Sequence, residues 1–134
     1  MNATGTSGAS RDRDRGEAVT QLVILTPVLV LLVFLGVQAA IYFHAANVAA
    51  AAAAQGAAAA SPRSAGSADG SSAAAMMIDD LGGDPAATTT VRDDGAAVSV
   101  TVTIVVHRVL PFFPSSVSRT ASEPKERFVP ESER

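Results

Sequence analysis

The run Leu22–Phe43, LVILTPVLVLLVFLGVQAAIYF, decides the architecture of this chain. Its 22 residues carry no formal charge, and only Thr26, Gln38 and the Tyr42 hydroxyl are clearly polar. As an α-helix rising about 1.5 Å per residue it measures about 33 Å, enough to cross a hydrocarbon core of about 30 Å. In lipid a helix satisfies its own backbone hydrogen bonds, so an uninterrupted apolar helix is the favoured way across. The sequence therefore predicts a single membrane span between a short polar leader and a small exported domain. Pro27 removes the hydrogen bond to the Val23 carbonyl and predicts a kink, which membrane helices tolerate. Gln38 is expected to reach water at the outer interface rather than bond a neighbouring helix, and Tyr42 to anchor at headgroup level.

Composition limits what lies outside the span. The chain has 134 residues and a hydrophobic fraction of 48%, but much of that is alanine, which buries little area. Aromatic content is 4% with no Trp, which argues against a large independent core. A net charge of −3 argues against a nucleic-acid partner, because counterion release needs clustered Lys and Arg. The absence of cysteine excludes a disulfide scaffold, a thiolate nucleophile and a Cys-based zinc site. Arg11, Arg13 and Arg15 precede the apolar run, whereas no Lys or Arg follows it until Arg63. The positive-inside rule counts basic residues, so the N-terminus is expected on the cytoplasmic side of a bacterial membrane and the bulk of the chain outside.

The segment after the span, His44–Ser61, reads HAANVAAAAAAQGAAAAS. Alanine is the best helix former, so one helix is expected over 20–60, about 60 Å long, frayed or bent near Gly56. Two readings of its projecting half stay open. Small residues permit close packing on a partner, or the tract is low-complexity sequence with no partner. Pro62 ends it.

Residues 1–16 read as a disordered leader, 61–71 as a Ser/Gly/Pro linker and 123–134 as a flexible tail. Between them, 72–122 reads as a small α+β domain. Ala74, Met77, Ile78 and Leu81 mark one face of a short helix stopped by Gly82 and Gly83. Thr88–Val91 and Ala96–Val106 flank Asp94-Gly95 and predict a β-hairpin. The longer strand alternates Val98, Val100, Val102, Ile104 and Val106 against Ser99, Thr101 and Thr103. The short helix carrying Met77 and Ile78 is the expected cover for the valine face, and a third strand near Ser116–Ser122 is a further possibility. Phe112 and Phe113, between Pro111 and Pro114, either fold back over the sheet or form an exposed loop for a partner or the membrane surface.

The search for chemistry yields no catalytic constellation. His44 and His107 stand in no metal-ligand spacing, the aspartates sit at helix ends and turns, and no phosphate-binding or nucleophile motif occurs. No cofactor, metal or enzymatic activity is expected.

Arg15-Gly16, a polar residue, an apolar run with proline near its start and Asn47-Val48 leading into an alanine-rich helix together resemble the TadE-like proteins of tight-adherence (Flp) pilus systems. The resemblance covers Arg15 to about Ala60. It implies a membrane-anchored, pseudopilin-like component of a pilus or pilus-type secretion apparatus, with other assembly proteins as partners. It also implies processing by a prepilin peptidase after Gly16, making Glu17 the first mature residue. The family's usual glutamate falls at Gln21, which cannot neutralise a neighbour's N-terminal ammonium group. Two other readings remain open. One is a secreted protein cleaved at Val37-Gln38-Ala39 after an apolar signal core over 22–37. The other is a plain single-span anchored interaction domain.

Overall fold

A computed structural model describes residues 8–125, with side chains at Val19 and from Gln21 onward. The described chain comprises two units, one ending at Val37 and one beginning at Gln38. The element order is α1 (Gly8–Ala60), α2 (Ser67–Asp80), β1 (Thr88–Asp93), β2 (Ala97–Val105) and β3 (Ser116–Pro124). This is an α+β fold with, among the described residues, one helix long and apolar enough to cross a membrane.

The helix starts earlier than the expected residue 20. Arg, Glu and Ala are good helix formers, and extending an existing helix adds one hydrogen bond per residue without a new nucleus. The rest of the expected disordered leader, residues 1–7, lies outside the described residues. Pro27 sits inside α1 without ending it, and the Thr26 hydroxyl donates to the Leu22 carbonyl at 2.7 Å. Through this part the apolar side chains face outward; Leu22, Ile24 and Leu29 are each at least 60% exposed, as a span needs in lipid.

From Gln38 onward the chain builds a small domain of helix, helix and sheet. The sheet is antiparallel in the order β1-β2-β3, with Val91 opposite Val100 and Thr101 opposite Thr120. The expected hairpin is present and the third strand completes it, which matters because a two-stranded hairpin alone is marginal in water. At its turn Gly95 has φ +83°, and the Asp94 carboxylate accepts from Ala96 N and Ala97 N at 2.9 and 2.7 Å. Two-residue periodicity then sorts β2. Val98, Val100, Val102, Ile104 and Val106 are buried, while Ser99, Thr101 and Thr103 pair through hydroxyls with Ser122, Thr120 and Ser118.

Helix α2 begins five residues before the expected Ser72. The Asp69 carboxylate accepts from Gly66 N at 2.8 Å and supplies a cap at the new start. It ends where Gly82 and Gly83 predict. Gly82 takes φ +66°, Gly82 N donates to Asp79 O, and Gly83 N donates to Ile78 O at 2.7 Å, a Schellman motif. At the other end of the domain, Glu123 and Pro124 belong to β3 rather than to a tail, and Lys125 N donates to Ala96 O. Residues 126–134 of the expected tail lie outside the described residues.

The cover of the valine face differs from expectation. Ala74 and Ile78 of α2 contribute to it, but most of the buried surface opposite the sheet comes from the alanine tract. Ala46, Val48, Ala49, Ala52, Ala53, Ala57 and Ala60 are buried in one cluster with the β2 valines. The tract is therefore the inner wall of its own domain and not a low-complexity stretch without a partner. Gly56 does not fray the helix. A methyl group placed there would lie 2.8 Å from Gly70 O, 3.1 Å from Val100 Cγ1 and 3.2 Å from Ala74 Cβ. Its missing side chain is what lets α1 and α2 cross at backbone distance beneath the sheet.

Candidate functional site

Small residues set the wall of the domain, and one polar residue sets its base. Gln38 is fully buried. Its Oε1 accepts from Val109 N at 2.7 Å and from Leu110 N at 3.3 Å, and its Nε2 donates to His107 O at 3.4 Å. One side chain thus satisfies three backbone groups in the loop that follows β2. Prolines at 111 and 114 prevent that loop from continuing a ladder, so its amides need an acceptor from elsewhere. Gln38 does not reach for water at the interface, because its amide is buried and bonds three backbone groups of the loop instead. An amide suits the position because it both donates and accepts.

The loop so held presents aromatic rings. Phe112 is 70% exposed, and Phe113 is half-buried with its ring centroid 5.6 Å from that of Phe112. Phe113 and Pro114 line a cavity with Ala39, Tyr42 and Phe43. Tyr42 and Phe43 stack edge to face at 6.0 Å. Neither phenylalanine folds back over the valine sheet, because α1 already occupies that face. Phe112 is the exposed member of the pair.

The other sequence-derived positions fall in α1. Arg11, Arg13, Arg15, Gly16 and Glu17 lie within it, and their side chains are outside the described residues. Gln21 is exposed. His44 and His107, 63 positions apart in the chain, line one cavity together with Asp84. Among the described residues no group of three or more His, Cys, Asp or Glu side chains is arranged to hold a metal.

The electrostatics concentrate at the opposite end of the sheet. Asp93 has its carboxyl held below the usual aspartate range by the hydrogen bond from Lys125 and by Gly95 N. Asp94 is lowered by the backbone N–H groups of Ala97 and Ala96. These groups close a turn; they do not form a reaction centre.

What α1 carries is an outward apolar face before Gln38 and an inward small-residue face after it. Residues 16–58 match the TadE-like protein family. The match covers about a third of the chain and ends two residues short of Ala60, before α2 and the sheet. The matched stretch thus contains the apolar segment, the Gln38 clamp and the alanine wall up to Ala57. No curated protein and no solved structure matches the chain. Sequence reasoning located the TadE-like stretch but missed the two roles inside it, the clamp and the wall. A signal for the first existed: Gln38 is the one side-chain amide in Leu22–Phe43.

Proposed function

We propose that this chain is a membrane-anchored, non-catalytic, pseudopilin-like component of a tight-adherence pilus or pilus-type secretion apparatus. The observation that carries the reading is the TadE-like match from Gly16 through the apolar segment into the alanine wall. The anchor and the first element of the domain are successive stretches of α1. Arg11, Arg13 and Arg15 orient the N-terminus to the cytoplasm, and the domain from Gln38 onward meets other assembly proteins outside. A prepilin peptidase acts after Gly16. Gln21 makes the role that of a minor component, because the charge pair with a neighbour's mature N-terminus is missing.

The signal-peptide alternative fits the domain poorly. Cleavage after Ala39 removes Gln38, and with it the acceptor for Val109 N and Leu110 N. Mass spectrometry of the protein from native membranes tests both readings. A mature N-terminus at Glu17, together with loss of pili or secretion when the chain is deleted, is the expected result. A start at Ala40, or intact pili and secretion in the deletion strain, overturns the proposal.

A further inference from the structure

We propose that the loop Val109–Pro114, with Tyr42 and Phe43, forms a second membrane contact, seated in the outer-leaflet interface of the bilayer that the apolar segment crosses. This inference rests on the anchored reading above and goes beyond it, since an anchor alone leaves the domain free to rotate and lift.

Three observations carry it. The first is the apolar surface itself. Phe112 is 70% exposed, Phe43 63% and Val109 45%, and Phe113 and Pro114 join them through the cavity shared with Tyr42 and Phe43. Scattered exposed apolar residues are ordinary, but a contiguous aromatic group held on a proline-braced loop is not.

The second is position along the chain. The first unit ends at Val37, and the uncharged helical stretch 18–37 rises about 30 Å, enough for the hydrocarbon core. The span therefore lies a few residues earlier than Leu22–Phe43, and Phe43 follows it by six residues, about 9 Å along a helix. Gln38 then fastens Val109 and Leu110 to that same level of α1 through its two accepted hydrogen bonds. The loop is thereby kept beside the point where the chain leaves the hydrocarbon, the depth at which aromatic rings are preferred.

The third is charge. Residues 38–45 and 105–117 contain no carboxylate, and their titratable groups beyond Tyr42 are His44, His107 and Arg108. Asp84 faces His44 and His107 across a cavity that includes neither phenylalanine. The carboxylates of Asp93, Asp94 and Glu123 lie at the far end of β2, where Asp93 and Glu123 both pair with Val98. Aromatic rings beside Arg108, with Asp84 set on the histidine cavity and Asp93, Asp94 and Glu123 at the far strand end, match an anionic headgroup layer.

The absence of native cysteine makes the test direct. The full chain is placed in vesicles containing anionic phospholipid, with an environment-sensitive fluorophore on one introduced cysteine. Phe34→Cys reports the span, Ser115→Cys reports the loop with both phenylalanines intact, and Thr101→Cys reports the hydroxyl face of the sheet. The expected result is quenching of the Phe34 label by deep lipid-borne quenchers and of the Ser115 label by shallow ones. That depth corresponds to about 5–10 Å into the headgroup boundary. The Thr101 label answers only to an aqueous quencher, and Phe112→Ser/Phe113→Ser returns the Ser115 label to water. Aqueous quenching at Ser115 with lipid quenching at Phe34 overturns this inference and leaves the anchor intact. Aqueous quenching at both overturns the two together. Protection of Ser115 that grows only with the density of chains in the vesicle assigns the patch to a second copy and overturns the lipid contact.

Discussion

The side-chain oxygen of Gln38 lies 2.7 Å from the backbone nitrogen of Val109, 71 residues later in the chain. This bond closes the domain at its base, joining the first residue of the folded unit to the loop after its central strand. It also places the boundary between apolar segment and domain at one residue. Val37 is 46% exposed, and Gln38 beside it is fully buried.

Removing that amide takes the acceptor from two part-buried N–H groups, those of Val109 and Leu110. Gln38→Leu is expected to destabilise the domain by about 0.5–1.5 kcal/mol for each hydrogen bond lost. Urea unfolding of the full chain in detergent micelles checks this. An unchanged midpoint for Gln38→Leu means that the loop amides find another partner and that the clamp is dispensable.

The alanine wall predicts opposite outcomes for adjacent residues. Ala53 is buried and Ala54 exposed. Ala53→Leu is expected to cost about 1–3 kcal/mol by overpacking, whereas Ala54→Leu stays within about 0.5 kcal/mol. Gly56→Ala belongs with Ala53→Leu, although alanine gains about 1 kcal/mol of helix propensity over glycine. The new methyl group meets the Gly70 carbonyl at 2.8 Å, and a backbone oxygen cannot step aside. Thermal unfolding of the three variants decides it, and equal stability of Ala53→Leu and Ala54→Leu would remove the wall from its place in the core.

The β1–β2 turn predicts a response to acid. Asp93 and Asp94 both have lowered carboxyl pKa values in the folded chain, from the Lys125 hydrogen bond and from backbone N–H groups respectively. A carboxyl whose folded pKa lies below its unfolded value of about 3.9 contributes stability that is complete above that value. That contribution is lost as pH falls through the lower folded value. The turn should therefore hold from neutral pH down to the ordinary aspartate range and loosen below it. Both groups are solvent-exposed, so the effect is small and screened by salt. Denaturant midpoints at neutral pH and at acid pH, compared between the native chain and Asp93→Asn/Asp94→Asn, measure it. The double variant should show a smaller loss on acidification; an equal loss assigns acid sensitivity to other carboxyls.

Several elements are legible in the residues alone because each rests on a local rule. A charge-free run of 22 residues is long enough to span lipid whatever surrounds it. Strict alternation over Val98–Val106 selects a strand with one buried face, and Asp94-Gly95 meets the positive φ that its turn requires. Gly82 stops α2 for the same reason. These decisions need only neighbours in sequence. The alanine tract is the opposite case. Periodicity identifies a buried face by contrast between residue types, and a run of alanines offers no contrast. Only the approach of the β2 valines and of Gly70 decides which alanines are inside. Gln38 is a second such case, since an amide amid apolar residues declares that it needs a partner but not which one. Its partners are backbone groups about 70 positions away. They come within reach only after the sheet has folded against α1, so tertiary packing assigned that amide its partners in the loop instead of water.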